Sequence, residues 1–160
     1  MEPNNVLLFE AARNGATDTL KQLIAQGADI NARDGRLFTP LILAAYNNHF
    51  DAAKWLLEAG ADVDAADAGG NTALMGVCFK GYAPIAELLL THNASINLQH
   101  GNGGTALMFA VMFGRNELVK ILMEHNADLS LRESRGLTAI DLAVQQGNVE
   151  ALEIIEGVRA

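Results

Sequence analysis

The chain has 160 residues, of which half are hydrophobic, and a formal charge of −8. This composition excludes a disordered chain, and its eleven scattered basic residues do not form the basic patch that nucleic-acid binding requires. The longest uninterrupted apolar stretch, residues 106–113, is too short to span a membrane, and the start of the chain lacks the pattern of a secretory signal. The single cysteine, Cys78, cannot form an internal disulfide, which fits a reducing compartment. We therefore expect a cytoplasmic protein with no nucleic-acid or membrane partner.

Two sequence markers recur along the chain with a constant step of 33 residues. A step of this length is typical of a stacked repeat array. The first marker is a Thr followed by an apolar run: TPLILA from Thr39, TALMGV from Thr72, TALMFA from Thr105 and TAIDLA from Thr138. The second marker is Gly27-Ala28-Asp29, Gly60-Ala61-Asp62, Asn93-Ala94-Ser95 and Asn126-Ala127-Asp128. The predicted repeats are 1–33, 34–66, 67–99, 100–132 and 133–160, forming one domain over residues 1–160.

Each repeat predicts two short helices. The Thr is a good N-cap, Pro40 suits the first helical position, and Thr138 with Asp141 resembles a capping box. A Gly or Asn then ends the first helix in a left-handed conformation. The second helix carries an apolar face, for example Leu118 with Ile121. The recurring Asp after it is explained by local turn hydrogen bonds.

The stretch HGNGGT at residues 100–105 places glycines before a helix, as phosphate-binding loops do. It lacks the P-loop lysine next to the Thr, and it occupies the same position as DGRLFT, DAGGNT and ESRGLT in the other repeats. We therefore interpret it as a turn in which Gly supplies a positive φ.

These motifs resemble the ankyrin repeat, whose signature is T-P-L-H-x-A on a 33-residue step. The resemblance covers essentially the whole chain. The short, self-capped chain is similar to stand-alone bacterial ankyrin-repeat proteins. The resemblance implies an all-α repeat solenoid of five stacked repeats, each with a β-hairpin finger and two antiparallel helices, curved so that fingers and first helices line a concave binding face. The His of the signature is absent, and Leu37 replaces the fingertip Gly of the other repeats, so we expect unusual geometry in that finger.

The two ends of the array differ from its middle. Glu156 takes the position of Leu57, Leu90 and Met123, and Glu10 takes that of Leu43, Phe109 and Leu142. Gln22 likewise replaces an apolar residue, as expected where no further repeat covers the helix. We expect a complete, capped array whose last helix ends at Gly157.

Candidate chemical groups have simpler explanations. His92 and His125 share a position in adjacent repeats, but no third ligand is in phase with them, so we expect no metal and assign them, like His49 and His100, surface or capping roles. Cys78 takes the position of Ala45 and Val111 and is predicted to be a core thiol. We expect no catalytic residues and no cofactor.

The positions at the end of the first helix face the groove in this family, and here the middle repeats place large side chains on them. An aromatic row flanked by polar ends is typical of an interaction patch, although such rings also pack between repeats. We expect a monomeric, non-enzymatic module whose concave groove binds an unidentified protein partner. The alternatives are a small-molecule or metal-dependent activity in the groove and a self-association scaffold. The predicted contact residues are Arg36, Phe38, Tyr46, Phe79, Lys80, Met112, Phe113, Arg135 and Leu137.

Overall fold

The structure, a computed structural model, describes residues 3–159, and its regular elements are helices. Within these residues the only extended pairing is an isolated antiparallel bridge between Ala66 and Thr72. The odd-numbered helices are the predicted first helices of the repeats and the even-numbered ones the second helices. They are α1 Pro3–Asn14, α2 Thr17–Ala25, α3 Pro40–Tyr46, α4 Phe50–Glu58, α5 Ala73–Lys80, α6 Ala83–Thr91, α7 Ala106–Met112, α8 Asn116–Glu124, α9 Ala139–Gln146 and α10 Val149–Arg159.

The chain divides into two compact units, of which one ends at Ala73 and the other begins at Leu74. In the first unit, α1 packs against α2 and α3, α3 packs against α4, and α2 packs against α4. In the second unit, α7 packs against α8 and α9, and α8 packs against α6 and α10. Like helices of successive repeats therefore lie side by side in each unit, which confirms the all-α repeat fold. The count of five repeats and the single domain over residues 1–160 stay predictions.

The first helices begin at the predicted Thr caps. The hydroxyl oxygens of Thr39 and Thr105 accept hydrogen bonds from the backbone N–H three residues on, at 3.2 and 3.3 Å. Thr138 and Asp141 form a reciprocal capping box, in which the Asp141 carboxylate accepts from the Thr138 N–H at 3.0 Å. That bond holds the pKa of Asp141 below its usual value. The caps satisfy N–H groups that have no partner within the helix.

The residues predicted to end the helices do adopt left-handed backbone conformations. Gly15, Asn48, Gly81, Gly114 and Gly147 have φ between 63° and 91°. The same holds for the Gly or Asn that follows each even-numbered helix up to α8, namely Gly27, Gly60, Asn93 and Asn126. The expected stop at Gly157 is wrong, because α10 continues through it to Arg159. An exposed Gly inside a helix costs only about 1 kcal/mol, which neighbouring packing can offset.

The loop of five residues before each Thr, here called the finger, closes on itself with backbone hydrogen bonds between its first residue and its fourth and fifth residues. Fingers are residues 34–38, 67–71, 100–104 and 133–137, and in each the N–H of the first residue donates to the carbonyl of the last, at 2.9 to 3.1 Å. The expected β-hairpin is thus shorter than a strand pair. The Asp34 carboxylate also accepts from the N–H groups of Arg36 and Phe38, both at 2.9 Å. Asp67 and Glu133 make the equivalent pair of bonds in their fingers.

The expectation of unusual geometry in the finger that contains Leu37 is wrong. Leu37 has φ +62°, in the same left-handed region as Gly70, Gly103 and Gly136, whose φ values lie between 80° and 83°. The Asp34 carboxylate accepts from the N–H groups on both sides of Leu37 and stabilises this turn. A leucine is therefore held in a conformation that is unfavourable for L-residues with a Cβ atom.

The interior consists of apolar side chains from both kinds of helix, and the first helices α3 and α7 are buried over most of their length. Leu89, Leu118 and Leu122 are fully or almost fully buried, as their positions on the second helices predict. Towards the ends of the chain, Glu10, Gln22 and Glu156 are exposed, and the capping of the array stays a prediction. Apolar side chains are exposed there as well: Val6 and Leu7 in α1, Val144 in α9, and Val149 and Val158 in α10. Polar replacement at the end helices is therefore partial.

Leu89→Ala should lower the free energy of unfolding by about 2–5 kcal/mol, because it removes a fully buried side chain from a packed interior. Leu98→Ala is the matched control, since Leu98 is exposed and its loss should change stability by less than about 0.5 kcal/mol. Equilibrium urea unfolding compares the two variants. Equal effects would show that the 33-residue phasing of the core is wrong.

Leu37→Gly should be more stable than Leu37→Ala by about 1 kcal/mol, since only Gly relieves the left-handed strain while both variants lose the same apolar side chain. Thermal unfolding monitored by circular dichroism measures the difference. An Ala variant as stable as the Gly variant would contradict the strained conformation at this position.

Candidate functional site

The predicted contact residues of the first unit lie on one finger and at the end of α3. Arg36 is exposed and Phe38 is half-buried on the finger 34–38. Tyr46, the last residue of α3, is 42% exposed. Leu37 stands between Arg36 and Phe38 and is also 42% exposed. The unit therefore displays three large apolar or aromatic side chains, Leu37, Phe38 and Tyr46, on and near one finger. Leu37 was not among the predicted contact residues.

In the second unit, two predicted aromatic residues contact each other directly. The rings of Phe79 and Phe113 meet edge to face with centroids 4.7 Å apart. Phe113 is 45% exposed, whereas Phe79, Met112 and Lys80 are half-buried. Phe113 is thus displayed at the surface with Phe79 as its support. Edge-to-face pairing is favourable beyond the area it buries, so the pair holds Phe113 in a defined position.

Phe113 also borders a groove of about 430 Å³ in the second unit. Helix α7 lines this groove with Met108, Phe109 and Met112, Phe113 follows directly after that helix, and α9 adds Leu142. The fingers 100–104 and 133–137 supply polar groups, among them His100, Asn102 and Arg135. Its volume lies within the range of about 300–1,000 Å³ that is usual for ligand pockets. Three predicted contact residues, Met112, Phe113 and Arg135, therefore line one groove, while Leu137 lies half-buried at the end of the second finger.

The charged groups at the groove are already organised by the finger. One Glu133 oxygen accepts from the N–H groups of Arg135 and Leu137, and the other accepts from the Arg135 side chain at 2.9 Å. The hydrogen bond from the Arg135 side chain is the main cause that keeps the pKa of Glu133 below its usual value. Glu133 therefore stays ionised and acts as a structural anchor for this finger.

His100 is the groove residue that the sequence analysis assigned only a surface or capping role. Its ring packs on Phe109 with centroids 5.1 Å apart and covers Gly104 so closely that a Cβ atom there would lie 2.6 Å from the imidazole Nε2. The signal was a break in the repeat, because Asp34, Asp67 and Glu133 hold the equivalent position. His100 replaces their two bonds with one, in which its Nδ1 accepts from the Asn102 N–H at 3.3 Å.

The sequence analysis also missed a set of side-chain hydrogen bonds between repeats that fix the ends of first helices. In three repeats, the residue at one shared repeat position, shortly after the first helix, reaches back to a carbonyl near the end of the first helix in the preceding repeat. His49 Nε2 donates to the Arg13 carbonyl at 2.9 Å, and Arg115 Nε donates to that of Phe79 at 3.0 Å. Asn148 Nδ2 donates to the carbonyl of Val111, also at 3.0 Å. These bonds satisfy carbonyls that have no partner within the helix, next to the side chains predicted to bind.

Other potential chemical groups are engaged in structure. Cys78 is fully buried, and burial raises the pKa of its thiol far above the usual value. His92 and His125 each donate from Nδ1 to a carbonyl of their own helix, at 3.0 and 2.8 Å, which agrees with the predicted capping role. Residues 3–159 contain no cluster of three or more His, Cys, Asp or Glu side chains that could hold a metal ion. None of the helices described there is long and apolar enough to cross a bilayer.

Comparison with known families agrees with this architecture. The family described as ankyrin repeats (3 copies) matches the chain at residues 8–100 and again at residues 77–157. The chain therefore belongs to the ankyrin-repeat family, whose members are generally non-enzymatic modules for protein–protein interaction. No curated protein matches the chain.

Asn148→Ala should lower the free energy of unfolding by about 1–3 kcal/mol, since it removes the hydrogen bonds that Asn148 Nδ2 donates to the Val111 carbonyl and to Asn116 Oδ1, and it leaves the Ala151 N–H at the start of α10 without its cap. Asn148→Asp keeps an acceptor for Ala151 but cannot donate to Val111 or Asn116. Chemical denaturation therefore separates the cap from the bonds between repeats. An Asp variant as stable as the wild type would show that the bonds between repeats contribute nothing.

Proposed function

We propose that this chain is a non-enzymatic module that docks a partner protein on its finger and first-helix surface, with Phe113 as the main anchor of the second unit. The observation that carries the proposal is an exposed aromatic ring held in place by a second ring at the border of a groove. Large, stiff aromatic side chains lose little entropy on binding and are enriched among residues that dominate interface energies.

The first unit supports the same mode of binding. Arg36, Leu37 and Phe38 project from one finger, and Tyr46 follows on α3. Leu37 is an exposed apolar residue held at a strained φ that Gly would adopt without cost. Strain of this kind is typical of sites where display of a side chain matters more than stability. We therefore add Leu37 to the proposed contact residues.

A groove-based enzymatic activity has less support. Nucleophile, base and orienting group must lie within reach of one another, and the groups here are engaged elsewhere. Cys78 is buried, Glu133 accepts three hydrogen bonds from its own finger, and His100 Nδ1 accepts from the Asn102 N–H. The polar residues of the groove thus serve the geometry of the fingers.

A Phe79→Ala, Phe113→Ala double variant should retain its circular dichroism spectrum and lose capture of the partner from a lysate of the source organism. Each truncation is expected to cost about 2 kcal/mol of binding free energy, as is usual for aromatic anchors. Because Phe113 is 45% exposed, the single Phe113→Ala variant should remain folded, with only the loss of its contact with Phe79, while it loses most of the binding.

The matched control is Val149→Ala, Val158→Ala, which removes exposed apolar side chains from α10, outside the groove. This variant should bind like the wild type. Capture that persists in a folded Phe79/Phe113 variant, or that is lost in the α10 control, would refute the proposed surface. Quantitative pull-down followed by mass spectrometry gives the comparison.

A further inference from the structure

The groove bordered by Phe113 has an apolar side that matches large, flexible anchors. Half-buried Met112 and Phe109 and exposed Phe113 line this side, with the buried Met108 beneath them. Methionine side chains adapt to different apolar shapes, and sulfur also contacts aromatic rings favourably. The volume of about 430 Å³ suits one or two large side chains of a docked segment.

The finger side of the groove offers positive charge that a partner can use. The Arg135 side chain is 60% exposed, and only its Nε is bonded to Glu133. Its two terminal nitrogens make no hydrogen bond within residues 3–159, so they remain able to pair with a carboxylate. Guanidinium groups bind carboxylates through two parallel hydrogen bonds, which combine strength with a defined orientation.

Charge is distributed unevenly between the two kinds of helix in the second unit. The second helices α6, α8 and α10 carry six glutamates and two basic residues. The first helices α5, α7 and α9, with the fingers and Arg132, carry three basic residues against Glu133 and Asp141. Both of these acids are hydrogen-bonded, and Asp141 also lies 4.0 Å from Arg132. An acidic partner is therefore repelled by the second helices and not by the groove.

From these observations, and resting on the proposed function, we infer that the groove takes a protein segment in which a large apolar side chain lies next to an Asp or Glu. The apolar side chain enters between Met112, Phe113 and Phe109. The neighbouring carboxylate pairs with the terminal nitrogens of Arg135. This arrangement explains why a chain with a charge of −8 keeps the terminal nitrogens of Arg135 beside this apolar groove.

Two pools of synthetic twelve-residue peptides test the inference on the full chain by fluorescence anisotropy. Both pools place Leu, Phe or Trp at the central positions, flanked by Asp and Glu in one pool and by Lys and Arg in the other. We expect the acidic pool to bind at least tenfold more tightly, and added salt to weaken that preference. Equal binding of the two pools, tighter binding of the basic pool, or no binding of either would overturn the inference.

Variants of Arg135 test whether this residue causes the preference for the acidic peptide pool. Arg135→Gln should reduce binding of the acidic pool about tenfold, and Arg135→Lys should restore only part of it, because Lys lacks the paired donors. The finger should survive both changes, since Glu133 still accepts from two backbone N–H groups. Arg159→Gln, on the exposed end of α10, is the control and should bind like the wild type. An Arg135→Gln variant with unchanged affinity would also overturn the inference.

Failure of this inference is distinguishable from failure of the proposed function. If partner capture depends on Phe113 while the pools show no acidic preference, the docking surface stands and the chemistry assigned to its partner is wrong. If capture does not depend on Phe79 and Phe113, the proposed function itself fails. Sedimentation velocity supplies a further outcome, because a dimer that Phe113→Ala dissociates would identify a second copy of this chain as the occupant.

Discussion

Helices of seven to nine residues are not stable alone in water, and this constraint governs the molecule. Within each unit, the helices bury their apolar side chains against the other helix of the same repeat and against like helices of neighbouring repeats, so tertiary packing stabilises them. The ends of the first helices are also stabilised by contacts with the neighbouring repeat. Where Arg115 and Asn148 reach back to carbonyls of the preceding repeat, they satisfy backbone groups that so short a helix leaves open.

Much of this fold could be predicted because its signals are local. The caps at Thr39 and Thr138 and the turn at Asn48 depend on a few adjacent residues, and the 33-residue step repeats them until they are unmistakable. The geometry of the finger that contains Leu37 was mispredicted, because a residue type indicates only how much free energy a backbone conformation costs. It does not indicate whether hydrogen bonds to Asp34 impose that conformation anyway.

The candidate site was less predictable. Phe79 and Phe113 could be placed at equivalent or adjacent repeat positions, but their edge-to-face contact and unequal exposure depend on how two repeats pack. His100 could have been noticed in the sequence, because it begins its finger where the other three fingers begin with Asp or Glu. Its stacking on Phe109 required coordinates. The groove residue His100 thus lies where the repeat pattern is broken, whereas the recurring Thr caps and buried leucines hold the fold together.

The most direct test of this account is site-specific photo-crosslinking. The fold should accommodate a benzophenone amino acid at position 113, because Phe113 is exposed. The same amino acid at position 120 on α8, where Lys120 is also exposed, provides the control. Irradiation in cells of the source organism should give a discrete crosslinked protein from position 113 and none from position 120. A discrete product from position 120 alone would contradict the account and place the partner on the second helices.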